Sequence, residues 1–138
     1  MSQDNVEIVR QVFDAFNSED IERILAFVHP ELEAEIPPEV SAEPDIYRGP
    51  DGMRRYFQSF QDVMDEIRFQ PERFWDAGES VVVALLLTAK GRQTAILVEQ
   101  RTAAVWTISD GKVRRVRAYA SPAEALEAVG MEEVEDPD

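Results

Sequence analysis

An α+β fold, with helices of the first half packed on a curved antiparallel sheet made by the second, is predicted by three observations. Apolar residues recur at helical spacing up to about residue 67, giving amphipathic stripes. From residue 69 onward the period changes to that of strands. Short glycine-containing turns then separate the strands, which makes an antiparallel meander.

The first helix opens at Asp4, with Glu7 three residues on as a capping box. Val6, Val9, Val12, Phe13 and Phe16 form its apolar stripe. Asn17-Ser18-Glu19-Asp20 reads as a turn that also caps a second helix. That helix buries Ile21, Ile24, Leu25 and Val28 and stops near His29, because Pro30 disfavours helix in the residue before it. Leu32-Glu33-Ala34-Glu35-Ile36 alternates and reads as a short strand, ended by Pro37-Pro38. A polar, proline-broken loop follows over 39–45. The third helix has the best stripe, made by Met53, Tyr56, Phe57, Phe60, Val63, Met64 and Ile67.

Four strands are expected over 69–75, 80–89, 94–108 and 113–119, with Gly78, Gly91 and Gly111 supplying positive φ in the turns between them. Long, strongly twisted strands would curl around the helices into a cone. A short closing helix has Ser121 as N-cap, Pro122 at its first position, Glu124 at its third and Gly130 past its end. With no internal repeat, residues 1–131 read as one domain and 132–138 as an acidic, disordered tail.

Composition narrows the function. The 28 Asp and Glu outweigh 14 Lys and Arg, for a formal charge of −14. Such a charge repels nucleic acid and anionic membranes, both of which are bound by neutralising phosphate with Lys and Arg. There is no cysteine, so thiol nucleophiles and thiolate metal sites are out. The longest apolar run, 81–87, is far short of the ~20 residues that span a bilayer. The first residues lack a basic segment followed by an apolar run, so a cytoplasmic protein without a leader is expected.

Several stretches carry a resemblance. Val6-Glu7-Ile8-Val9-Arg10-Gln11-Val12-Phe13-Asp14-Ala15-Phe16-Asn17, Tyr47-Arg48-Gly49-Pro50-Asp51-Gly52-Met53-Arg54-Arg55-Tyr56-Phe57 and Val105-Trp106-Thr107-Ile108-Ser109-Asp110-Gly111-Lys112-Val113 are the main ones. Ala123-Glu124-Ala125-Leu126-Glu127-Ala128-Val129-Gly130 adds the closing helix. Together they make the chain resemble the SnoaL-like family of the nuclear transport factor 2-like superfamily. The resemblance implies a cystatin-like cone with a pocket between the concave sheet and the helices. It does not imply one function, since the family holds isomerases, cyclases, epoxide hydrolases, dehydratases and non-enzymes. Nor does it imply a cofactor.

Strand alternation assigns sides to the expected pocket. With Trp106 pointing inward, Gln100, Thr102, Ala104 and Ile108 share its face, and Glu99, Arg101, Ala103, Val105 and Thr107 face outward. On the last strand Val116 and Ala118 face inward, and Arg115, Arg117 and Tyr119 outward. Phe13, Phe16, Tyr56 and Phe60 close the pocket from the helices, leaving Gln100 and Thr102 as its polar points. The bland alternative is that these aromatics simply fill a core.

Catalytic chemistry has thin support. Relatives that isomerise ketosteroids use an aspartate base with a tyrosine and a protonated acid as oxyanion donors. The resemblance places that acid at Ala104 and the base near Glu35 or Ile36. Glu35, Tyr47 and Tyr119 are the remaining acid–base candidates. His29 with Glu31, Glu33 and Glu35 makes an i, i+2 series that could ligate a divalent ion, but one wet strand face produces the same alternation, and no metal site is expected.

Three functions follow as expectations. The first is binding of a small, mostly apolar molecule in the cone. The second is an isomerase, cyclase or dehydratase. The third is a non-catalytic module that forms a homodimer through the outer sheet face around Ala103, Val105 and Tyr119.

Overall fold

A computed structural model describes residues 2–38 and 45–131. The 39–44 part of the expected loop and the acidic tail at 132–138 lie outside the described residues. Elements run α1 (Ser2–Ser18), α2 (Ile21–Leu25), β1 (Val28–Ile36), β2 (Asp45–Arg48), α3 (Gly49–Val63), β3 (Met64–Ala77), β4 (Ser80–Gly91), β5 (Leu97–Ser109), β6 (Lys112–Tyr119) and α4 (Pro122–Ala128). The strands form one six-stranded sheet in the order β2-β1-β6-β5-β4-β3. Every neighbouring pair is antiparallel except β1 and β6, which are parallel. The sheet stays open, with β2 and β3 at its edges.

Helix α1 starts at Ser2, so Asp4 lies inside it rather than at its cap. Val9, Val12, Phe13 and Phe16 are all buried, as an apolar stripe at helical spacing requires. Asp20 caps α2, its Oδ1 accepting the Arg23 N–H at 3.3 Å. The helix then stops at Leu25, well before Pro30. The cause is tertiary: the Phe27 carbonyl accepts the Val113 N–H at 2.7 Å, drawing the chain into the sheet alongside β6. His29 and Pro30 therefore sit in β1, where the β1–β6 register shifts between Val28 and Glu33. A proline, having no N–H, is tolerated at such an interruption. Arg114 Nη1 satisfies the Glu31 carbonyl there at 2.7 Å.

Two further boundaries differ from expectation. Residues 45–48 are a strand, β2, paired with β1 so that Tyr47 lies opposite Ala34. Met64 and Ile67 belong to β3 rather than to α3, because Met64 is already extended. A left-handed Glu66 and a register shift between Asp65 and Arg68 mark the bulge that turns the chain onto the sheet.

The hairpin between β5 and β6 turns on Asp110 and Gly111, both at positive φ, the Asp-Gly pair that two-residue hairpins favour. At the β4–β5 connection the left-handed residue is Ala95, and Gly91 is the end of β4. Ser121 caps α4 by accepting the Glu124 N–H at 3.3 Å.

The core has two parts. The larger lies between the concave sheet face and α1, α2 and α3. The smaller lies on the outer face, where Ala125 and Leu126 of α4 cover Val82, Ala103 and Val105. Ala103 and Val105 are thus buried within the chain beneath α4, and Tyr119, partly buried, packs against the same cluster. Beyond α4 the outer face carries ion pairs, including Arg101 with Glu72 at 3.1 Å and Arg117 with Glu35 at 3.8 Å. Among the described residues no helix is long and apolar enough to cross a membrane.

Candidate functional site

Between the concave face and the helices lie two cavities that share walls. The inner chamber, of about 70 Å³, is bounded by Phe13 and Phe16 of α1, Met53 and Tyr56 of α3, Phe69 of β3, and the inward row of the sheet. The outer one, of about 460 Å³, is bounded by Tyr47, Ser59, Phe60, Val63, Met64, Leu87 and Gln100. Ile36, Tyr56, Phe69, Leu85, Thr102 and Ala118 line both, so the two form a narrow depth and a wider mouth.

The register explains why space is left. Ala34, Val116, Trp106 and Val81 stand side by side across four strands. The row toward the mouth runs Ala118, Ala104, Val83. Two alanines facing each other, next to a row carrying a tryptophan, leave a hole that the helices do not fill. The opposite wall is a chain of rings. Tyr47 meets Tyr56 at 5.0 Å, Tyr56 meets Phe60 at 5.1 Å and Phe60 meets Phe69 at 5.7 Å. Phe69 meets Phe16 at 5.1 Å, and Phe13 stands edge-on to Trp106 at 5.2 Å. The edge-to-face pairs among these, which exclude the tilted Phe16–Phe69 pair, fix ring orientation beyond simple burial.

Of the residues singled out as pocket lining, Phe13, Phe16, Tyr56, Thr102, Ala104, Trp106, Val116 and Ala118 lie around the chamber. Phe60 and Gln100 lie around the mouth. Ala34, Ile36, Met53, Phe69, Val83 and Leu85 also line the chamber. Ala34 and Ile36 carried a sequence signal, since they alternate with wet glutamates, and Met53 belongs to the α3 stripe; Val83 and Leu85 carried none, because the 81–87 run is apolar throughout. What singles them out as walls is the sheet register.

The three acid–base candidates are not brought together. Tyr47 lines the mouth. Glu35 is on the other side of β1, paired with Arg117. Tyr119 packs with the α4 cluster on the outer face, beneath the Arg117 guanidinium at 5.0 Å. His29 Nδ1 accepts the Glu31 N–H at 2.9 Å, and Glu33 pairs with Arg48 at 3.4 Å. Among the described residues no three His, Asp or Glu side chains group so as to hold a metal ion.

The polar side chains facing this space are uncharged. Among the described residues neither cavity is lined by a carboxylate, a histidine, a lysine or an arginine. Burial pushes the Tyr56 phenol well above its ordinary range, and the neighbouring Tyr47 adds to the shift; Tyr56 therefore keeps its proton and acts only as a neutral hydroxyl. Tyr47 is braced from outside by Arg55, whose guanidinium lies 4.4 Å from the ring centre and bonds Asp45 at 2.5 Å. That bond holds the Asp45 carboxyl below its ordinary value.

A family model described as a SnoaL-like domain matches residues 9–116. The chain belongs to this SnoaL-like family. Among solved structures it is similar to an NTF2-like protein from Burkholderia xenovorans, with 26% identity over 94% of this chain and 97% of that one and a TM-score of 0.72. It is likewise similar to an NTF2-like protein of unknown function from Burkholderia pseudomallei, with 20% identity over 91% and 97% and a TM-score of 0.76. A third is TerC co-crystallized with polyporic acid, with 22% identity over 92% and 98% and a TM-score of 0.74. No curated protein matches the sequence.

Proposed function

We propose that the protein binds a small, mostly apolar, uncharged molecule in the chamber and mouth between α1, α3 and the concave sheet. One observation carries the reading: rings and aliphatic side chains wall a cavity, and every polar side chain on its described walls is neutral. Sparse polar points in an apolar cleft are the usual make-up of a small-molecule site. A fixed charge on the ligand would lack a counter-charge there, and burying it would cost far more than the contacts return. In the same fold, TerC crystallises with polyporic acid, which gives precedent for a ligand in a protein of this architecture.

The described walls carry no carboxylate, histidine, lysine or arginine, so they offer no usual general base or acid for isomerisation or dehydration. Binding is therefore preferred over turnover. The test is thermal denaturation with a panel of uncharged bicyclic and tricyclic aromatics, against the native chain and Ala104→Phe. A ligand at a hundred times its Kd stabilises the native state by about 2.7 kcal/mol, a shift of several degrees. The expected result is stabilisation of the native chain and none of Ala104→Phe, whose added ring occupies the chamber. Equal shifts for both, or none for either, would refute the reading.

A further inference from the structure

One fully buried side-chain polar atom at the chamber has no partner among the described residues. Trp106 is 6% exposed, its Nε1 is closed to water, and no acceptor bonds it. A buried donor left unmade is destabilising and rare in native proteins. The strand partners of Trp106 and the ring that packs on it are apolar. Val81 and Val116 flank Trp106 in register on the adjoining strands, and Phe13 stands edge-on above it. None offers a side-chain oxygen. Trp106 also lines the chamber, so a molecule that fills that space can bring an acceptor to this N–H.

Trp106 does not stand alone. Tyr56 and Thr102 line the same chamber, and their hydroxyls make no side-chain hydrogen bond to another described residue. The described lining thus presents one donor-only group, the indole N–H, beside two hydroxyls that can also donate, and carries no acidic or basic group, which favours an uncharged molecule that bears an acceptor. An aliphatic hydrocarbon would fill the volume and leave the indole unpaired. A carbonyl-bearing ring system fills it and pairs the donor.

Resting on the binding reading above, we propose that Trp106 Nε1 anchors the bound molecule through a hydrogen bond to a carbonyl oxygen. The ligand class is then an uncharged cyclic or aryl ketone with its carbonyl at the deep end of the chamber and its apolar remainder toward Phe60 and Gln100. Trp106 sets which molecule binds and in which orientation; Tyr56 and Thr102 are placed to share the same oxygen.

The experiment uses two probes of one shape, 1-indanone and indane, which differ by the carbonyl. Binding of each to the full chain and to Trp106→Phe is measured by calorimetry. In parallel, the two indole N–H signals of 15N-labelled native protein, from Trp75 and Trp106, are followed by NMR. The expected result is that the native chain prefers 1-indanone by about tenfold, as one added hydrogen bond to a neutral donor allows. Trp106→Phe should bind both probes alike. In the native protein 1-indanone should move the Trp106 indole proton downfield, whereas indane should not. The NMR arm keeps the proposal testable should Trp106→Phe fold poorly. Equal affinity of the native chain for the two probes, with no downfield shift, overturns the anchor while leaving apolar binding intact. Binding of neither probe overturns the pocket reading and the anchor with it.

Discussion

Asn17 at the end of α1 and Phe69 of β3 are joined by two hydrogen bonds at once. Asn17 Nδ2 donates to the Phe69 carbonyl at 2.8 Å, and the Phe69 N–H donates to Asn17 Oδ1 at 2.8 Å. The carboxamide copies what a neighbouring strand would do for one residue of the edge strand β3. It also fixes α1 against the strand whose Phe69 ring walls both cavities.

Removing this clamp should be expensive for a single side chain. Asn17→Ala deletes two bonds and leaves a partly buried N–H and C=O to find water, a loss of roughly 2–3 kcal/mol. Asn17→Asp tests the geometry: the carboxylate still accepts from the Phe69 N–H but faces the Phe69 carbonyl with a second acceptor. It should fall between native and Ala in urea denaturation. Equal stability of all three proteins would show that the clamp contributes nothing.

The outer face yields a prediction about folding rather than association. Val105 is 9% exposed and Leu126 of α4 is fully buried over the same cluster. Val105→Glu puts an unpaired carboxylate under α4, which should destabilise by about 3 kcal/mol or more. Leu97→Glu, at a residue 80% exposed, should change stability by less than about 0.5 kcal/mol. Chemical denaturation of both variants, with sedimentation to follow mass, separates the two. A Val105→Glu chain of native stability would contradict the packing of α4.

Tyr56 gives a pH dependence with a definite sign. Its folded-state pKa is raised above the ordinary 10.0, chiefly by burial. Below pH 10 both folded and unfolded chains hold the proton, so the group makes no difference there. Above it the unfolded chain releases a proton that the folded chain keeps. Stability therefore falls as pH rises through this alkaline range. Spectrophotometric titration of the three tyrosines should show one phenolate appearing only as the protein unfolds. Tyr56→Phe should remove that late step and flatten the alkaline loss of stability. A reversible native-state titration of all three near the ordinary value would disprove it.

Legibility in the sequence followed how local the cause was. The stripes of α1 and α3, the alternation that turns Trp106 and Thr102 to one side, and the Asp110-Gly111 turn are all written in neighbouring residues. The end of α2 is not, because the bond that stops it comes from Val113, far along the chain. Met64 and Ile67 also mislead, since their spacing suits a helix as well as a bulged strand. Asn17 reads as a turn former and gives no hint of Phe69. For the site, alternation identifies inward residues. The chamber itself depends on which alanines stand opposite one another, Ala104 against Ala118, and that is a matter of register.

The same dependence on close approach appears at Gly52, the position where α3 leans on β2. A Cβ there would lie 2.8 Å from the Tyr47 carbonyl carbon and 3.2 Å from its Cα. Those are backbone atoms, which cannot swing aside. In an isolated helix Gly→Ala would be favourable by about 1 kcal/mol. At this contact overpacking costs about 1–3 kcal/mol or more, so the clash should outweigh propensity and Gly52→Ala should destabilise. Relief requires α3 to move away from β2, which separates Tyr56 from Tyr47 and widens the mouth. The variant should therefore lower the denaturation midpoint and also alter binding of the carbonyl probe, although residue 52 does not line the mouth. A Gly52→Ala protein that is more stable than native, with unchanged binding, would mean that α3 has room to spare over β2 and that the backbone of Tyr47 does not limit its approach.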